Sequence, residues 1–143
     1  MPLVDITLRP GKSAAYKAAL FEGIYAALRE TFNVPEDDRF MSVSERGGED
    51  FAFSRSYLGM DRSDDFIILR ITVSNTRTLA QKQALYRAIV DHLGRDPGVR
   101  PDDIFINLIE VKLEDWSFGR GIAHYVETPP LLAQLAVREP LED

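Results

Sequence analysis

Moved along itself by 65 residues, the chain meets its own pattern. Lys17 falls on Lys82, Ala19 on Ala84, Leu20 on Leu85, Ile24 on Ile89 and Leu28 on Leu93, and 82 − 17 = 65. Val34 then falls on Val99, Asp37-Asp38 on Asp102-Asp103, Phe40 on Phe105 and Glu45 on Glu110, with no gap between Lys17 and Glu45. Helical periodicity alone would match the apolar positions. It would not carry an Asp-Asp pair and the strand after it in the same register. The chain therefore has to fold as two copies of one unit.

Each copy reads as strand, helix, strand. Val4, Ile6 and Leu8 alternate with Asp5, Thr7 and Arg9, the period of a half-buried strand. Pro10-Gly11 ends it, and Ala19, Leu20, Ile24, Ala27, Leu28 and Phe32 keep one apolar helical face from about Ser13 to Phe32. Pro35 disfavours a helical residue before it, and a strand is expected around Arg39 to Ser44. In the second copy, Phe66 to Val73 is almost continuously apolar, as in a strand covered on both faces. Thr78-Leu79-Ala80-Gln81 has the form of a capping box and opens a helix to about Leu93; Ile104 to Val111 reads as the last strand. Between the copies, Gly47-Gly48, Phe51-Ala52-Phe53 and Tyr57 suggest a short hairpin within Ser44 to Asp65.

A β-α-β unit joins parallel strands by a right-handed crossover. Two of them give an α+β domain: a four-stranded mixed sheet with both helices on one face. The other sheet face then needs a cover, and association of copies of the chain supplies one, because a bare apolar face would aggregate. A length of 143 residues fits one domain over residues 1–143, with halves at about 1–62 and 63–126 and a tail at 127–143. The chain from Trp116 onward, with Phe118, Tyr125, Leu131, Leu132 and Leu135, is too apolar to hang free and is expected to pack on a neighbour.

The tools available for chemistry are few. Cysteine is absent and histidine occurs twice, at His92 and His124. That excludes disulfides, zinc–thiolate sites, cysteine nucleophiles and multi-histidine cages, and no metal or cofactor is expected. The two histidines have no metal-ligand spacing and read as surface or helix residues. With 17 Lys and Arg against 23 Asp and Glu, the formal charge of −6 argues against nucleic acid as a partner. Gly119-Arg120-Gly121 lacks the strand-turn-helix setting of a nucleotide loop. No apolar run approaches the roughly 18 residues of a membrane helix, and Met1 to Asp5 does not read as a signal peptide. A soluble, cytoplasmic protein is expected.

The duplicated unit with a Met-Pro start resembles the tautomerase superfamily, and within it the malonate semialdehyde decarboxylase branch. The residues that carry this are Pro2-Leu3, Val34 to Arg39, Arg62-Ser63-Asp64, Pro101-Asp102-Asp103 and, most specifically, Asp115-Trp116-Ser117-Phe118-Gly119-Arg120-Gly121. The resemblance runs to about Tyr125. It implies a homotrimer with active sites around an amino-terminal proline. It also implies a small carbonyl or acrylic substrate bearing a carboxylate, to be tautomerised, hydrated, dehalogenated or decarboxylated.

Pro2 becomes such a terminus once Met1 is removed. Its secondary amine is then a base if apolar burial lowers its pKa and an acid if a carboxylate raises it. Otherwise Pro2 simply starts an edge strand. Asp38 lies where the family has its catalytic aspartate, which activates water or orients the proline ammonium; turn chemistry is the alternative. Arg77 offers a guanidinium suited to grip a carboxylate in two places, although an exposed arginine before a helix is the plainer reading. It is poorly placed there for the helix dipole, which favours a function. The decarboxylase pattern has a second arginine two residues earlier, where this chain has Asn75. Lys12 falls on Arg77 in the 65-residue shift, at a site where several tautomerases carry a binding arginine; it either supplies the missing charge or is simply solvated. Trp116, Phe118 and Tyr125 match the family's apolar wall, or serve as core or interface. The expected activity is keto–enol tautomerisation. A malonate semialdehyde decarboxylase or hydratase is the second expectation, and a non-catalytic trimer binding a ligand or protein the third.

Overall fold

A computed structural model describes residues 1–128. The tail leucines Leu131, Leu132 and Leu135 lie outside the described residues. In chain order the elements are β1 (Leu3–Leu8), α1 (Ala14–Phe32), β2 (Phe40–Glu45), β3 (Ile67–Ser74), α2 (Leu79–Arg95), β4 (Ile104–Val111) and the single turn α3 (His124–Glu127). Leu3 faces Phe40 in a parallel β1–β2 pair, and Ile68 faces Phe105 in a parallel β3–β4 pair. The two pairs meet antiparallel along β1 and β3, giving the order β2-β1-β3-β4. This is the expected mixed sheet.

The repeat governs details as well as topology. Both parallel pairs have the same offset, 40 − 3 = 105 − 68 = 37. Ser13 and Thr78 are the N-caps of α1 and α2, and Thr78 forms the full capping box with Gln81. Asn33 and Gly98 share a positive φ just beyond each helix. Lys17 donates to Glu45, and Lys82 to Glu110, the same tie from helix to strand in each copy. At the seam, Asp5 lies opposite Arg70 and accepts from it at 2.7 Å; since 70 − 5 = 65, the pseudo-twofold axis passes between these two residues.

Both helices pack on one sheet face, in one core. Val4, Ile6 and Leu8 of β1 and Leu69, Ile71 and Val73 of β3 meet Leu20, Ile24 and Leu28 of α1 and Leu85, Ile89 and Leu93 of α2. Gly23 sets the approach of the helices, because a Cβ there would lie 2.8 Å from Leu93 Cδ2. The opposite sheet face is mixed rather than uniformly apolar. Leu3, Phe40, Phe105 and Ile109 are exposed there, with Asp5, Arg70, Ser42 and Asn107 in a row across its middle. No helix among the described residues is long and apolar enough to cross a membrane.

The segment between β2 and β3 corrects the hairpin expectation. It holds two 3-10 turns, Gly48–Asp50 and Tyr57–Gly59, and no strand. Phe51 and Phe53 stack instead on Phe66, at 6.0 and 4.3 Å between ring centres. The Arg62 guanidinium takes the carbonyls of Ser54 and Tyr57, acceptors that a ladder would have needed. The segment is itself a copy. Its turn Gly48–Asp50 corresponds, at 48 + 65 = 113, to a 3-10 turn at Leu113–Asp115, so Phe51-Ala52-Phe53 lies on Trp116-Ser117-Phe118.

Candidate active site

The start of β1 forms the floor of a cavity of about 230 Å³. Met1, Pro2 and Leu3 line it with Phe40 of β2, and Trp116, Ser117 and Phe118 complete the wall. Pro2, the residue just before the central strand β1, is buried.

Asp38 faces this end of β1. The turn from Val34 positions it: Asp38 N donates to Pro35 O, Asp37 adopts a positive φ, and the Tyr25 hydroxyl accepts from Asp37 N at 3.2 Å. Asp38 Oδ2 lies 4.0 Å from the amino nitrogen of Met1, both groups being nearly buried. In the other repeat Asp103 is fully buried and accepts from Ser63 N at 2.7 Å and Ser63 Oγ at 2.6 Å, holding the chain as it enters β3. Asp38 meets the chain entering β1, and what enters there is the amino terminus.

The wall is braced from behind. The Trp116 indole donates to Ser74 Oγ at 3.0 Å, and Ser74 is buried at the end of β3. Phe118 packs at 5.5 Å from Trp116 and edge-on to Tyr125 at 5.1 Å, and Tyr125 is buried. Phe118 N donates to His124 Nδ1 at 3.1 Å, which fixes that nitrogen as an acceptor. Ser74 and His124 were not foreseen. Neither carries a local motif, since each acts through a contact 42 or 6 residues away in sequence.

Arg77 stands at the same end of the sheet, because β3 runs antiparallel to β1 with Thr72 opposite Leu3. It is not among the residues lining the cavity. Its Nε and Nη2 donate to Phe32 O at 3.2 and 2.7 Å, with the guanidinium 5.0 Å from the Phe32 ring centre. Poorly placed for the dipole of its own helix, it caps the negative end of the other. Asn75 is exposed at the end of β3, with its N–H bonded to Val111 O. Lys12 follows the opposite end of β1, so one chain does not bring it to Pro2. It bonds Asp65 at 2.5 Å and lies 4.8 Å from the Tyr16 ring centre; the Asp65 hydrogen bond holds its pKa above the ordinary lysine value. His92 bridges the helices through Glu30 at 2.8 Å. Among the described residues no three His, Asp or Glu side chains are grouped to hold a metal ion.

Comparison with known proteins gives the family and the fold. A family model described as tautomerase enzyme matches residues 38–119. The probable tautomerase YusQ of Bacillus subtilis (strain 168) is 39% identical over 127 residues, which cover 89% of this chain and 100% of that protein. A crystal structure of malonate semialdehyde decarboxylase, with decarboxylase and hydratase activities, is similar at a TM-score of 0.82 and 32% identity, over 87% of this chain and 95% of that one. A fused 4-OT symmetric trimer shares the fold at a TM-score of 0.70 and 18% identity, over 84% of this chain and 94% of that one.

Proposed function

The chain belongs to the tautomerase family of enzymes, and from that premise we propose that Pro2, freed by removal of Met1, transfers the proton in a keto–enol tautomerisation of a small carboxylate-bearing carbonyl compound. One observation carries the reading: Pro2 lines an aromatic-walled cavity, and the amino nitrogen of Met1, one residue before it, lies 4.0 Å from the Asp38 carboxylate, which places that carboxylate at the end of the chain that Pro2 would occupy. While Met1 remains, the Pro2 nitrogen is an amide and inert. After its removal the same nitrogen is a secondary amine.

The amine takes the enol hydroxyl proton as the carbonyl forms, and the ammonium returns a proton to the neighbouring carbon, so no atom is gained or lost. Asp38 orients the ammonium and steadies its charge. Arg77, at the same end of the sheet, is the residue we assign to the substrate carboxylate, which takes the place of the Phe32 carbonyl as acceptor for Nε and Nη2. Trp116 and Phe118, backed by Tyr125, exclude water from the reacting atoms. Leu3, Phe40, Phe105 and Ile109, exposed on one sheet face, support assembly as a homotrimer. In that assembly a neighbour's Lys12 is available to a site that its own chain does not reach.

Intact mass of the native protein tests the first step, with loss of Met1 expected. The enol of phenylpyruvate is a suitable substrate probe, and Pro2→Ala is expected to lower kcat/KM on it by about 10² or more, the usual range for a general acid–base. Full turnover in Pro2→Ala would sink the proline mechanism and leave a binding protein or another base.

A second reading, decarboxylation or hydration of malonate semialdehyde, is supported by the Asp38 carboxylate 4.0 Å from the Met1 amino nitrogen and by the 32% identity noted above. Asn75 weakens it by removing a cation. Asn75→Arg is expected to raise decarboxylation at least several-fold; an unchanged rate would show that position 75 does not limit the reaction.

A further inference from the structure

The repeat that builds the Pro2 cavity builds another at the opposite end of the sheet. A cavity of about 240 Å³ is lined by Phe66, Ile68 and Phe105 together with Phe53, Tyr57 and Arg62. The 65-residue shift carries one lining onto the other: Leu3 onto Ile68, Phe40 onto Phe105, Ser117 onto Ala52 and Phe118 onto Phe53. Even Met1, which lines the first, corresponds to Phe66 in the second.

Two replacements separate their chemistry. Ile67 stands where Pro2 stands, and its nitrogen lies within the chain, so it never becomes an amine. Asp103 stands where Asp38 stands, but it is fully buried and spent on Ser63. The acid–base pair is therefore gone. A cation takes its place: Arg62 lies 5.7 Å from the Phe66 ring centre, anchored by Nη1 to the carbonyls of Ser54 and Tyr57 at 3.0 and 3.1 Å. Its Nε and Nη2 have no hydrogen bond to the described residues, and these are the edge of the fork that grips a carboxylate.

We propose that this second cavity binds a small planar carboxylate, an aromatic or conjugated acid, without turning it over. The ring of the ligand packs among Phe53, Phe66 and Phe105, and its carboxylate is held by Arg62. The inference rests on the second cavity alone and stands whether or not Pro2 is catalytic.

trans-Cinnamate is the probe, titrated by calorimetry into the full-length Pro2→Ala protein in its native assembly. Trp116 is the only tryptophan and lines only the first cavity, so its fluorescence reports that site and is silent to the other. Two equivalents per chain are expected, one accompanied by the Trp116 signal. Arg62→Gln is expected to weaken the silent site about tenfold or more and leave the fluorescence titration unchanged. Because Arg62 also braces the 54–57 turn, Ala52→Glu provides a second variant, with a like charge set against the ligand on an exposed position of the cavity lining. A silent site lost in either folded variant supports the proposal. A single equivalent fully reported by Trp116, or a silent site that neither variant weakens, overturns it.

Discussion

Asp38 and Asp103 occupy the same place in the two repeats and do different work. Asp103 satisfies Ser63 and lies 3.7 Å from Arg100, a buried carboxylate fully used in holding a strand entry. Asp38 meets a chain end instead, with the Met1 amino nitrogen 4.0 Å from its carboxylate. At the seam, burial pushes the Asp5 carboxyl up, but hydrogen bonds from Arg70, Ser44 and Ser42 and the Arg70 charge outweigh it and hold the pKa below the ordinary value. A lowered folded-state pKa stabilises the fold above the unfolded value of about 3.9 and loses that contribution as pH falls through the folded one. Arg70 is half exposed, so the pair is worth less than about 1 kcal/mol. Asp5→Asn should therefore be slightly less stable than the parent near neutrality and equal to it at about pH 2 in denaturant melts. A gap that stays constant with pH would contradict this. The placement of Pro2, Trp116 and Phe118 around one cavity, with Asp38 at the same end of β1, was legible from the Met-Pro start, the Asp-Asp pair and one motif, whereas Arg77, Asn75 and Lys12 do not line it. Ser74 and His124 were not legible, because a serine at a strand end or a histidine before a turn has no meaning until the fold brings an indole or an amide to it.

The strands and helices were readable because their periods are strong and each is written twice. Their ends shifted by only a residue or two, with α2 running to Arg95 rather than about Leu93. The failure lay between them. Phe51 and Phe53 looked like one arm of a hairpin, but an alternating aromatic pair serves equally well as a lid, and Phe66 supplied the surface for it. The helix pair permits a sharper test. Gly23 corresponds to Ala88 in the other repeat, so a methyl group is acceptable at that place in the fold. Gly23→Ala should be close to neutral, its helix propensity gain of about 1 kcal/mol offsetting the displacement of Leu93. Gly23→Leu should cost about 1–3 kcal/mol by forcing α1 from α2. Denaturant melts compare the two, and equal stability would mean that the helices do not approach as described.

At the scale of the molecule, four exposed apolar side chains share the sheet face remote from the helices, two in each repeat: Leu3 and Phe40, Phe105 and Ile109. If this face is where copies of the chain meet, Phe105→Asp together with Leu3→Asp should shift the mass measured by light scattering from trimer to monomer, and a trimer unaffected by both would place the interface elsewhere. The seam has a different consequence. A position on a twofold axis faces its own equivalent, so two identical half-chains meeting there would set Asp5 against another Asp5, or Arg70 against another Arg70. Joining the halves in one chain lets opposite charges meet instead. Each half has thereby become a specific mate for the other and a poor mate for itself. Separately expressed halves should assemble one to one, and neither should pair with its own kind.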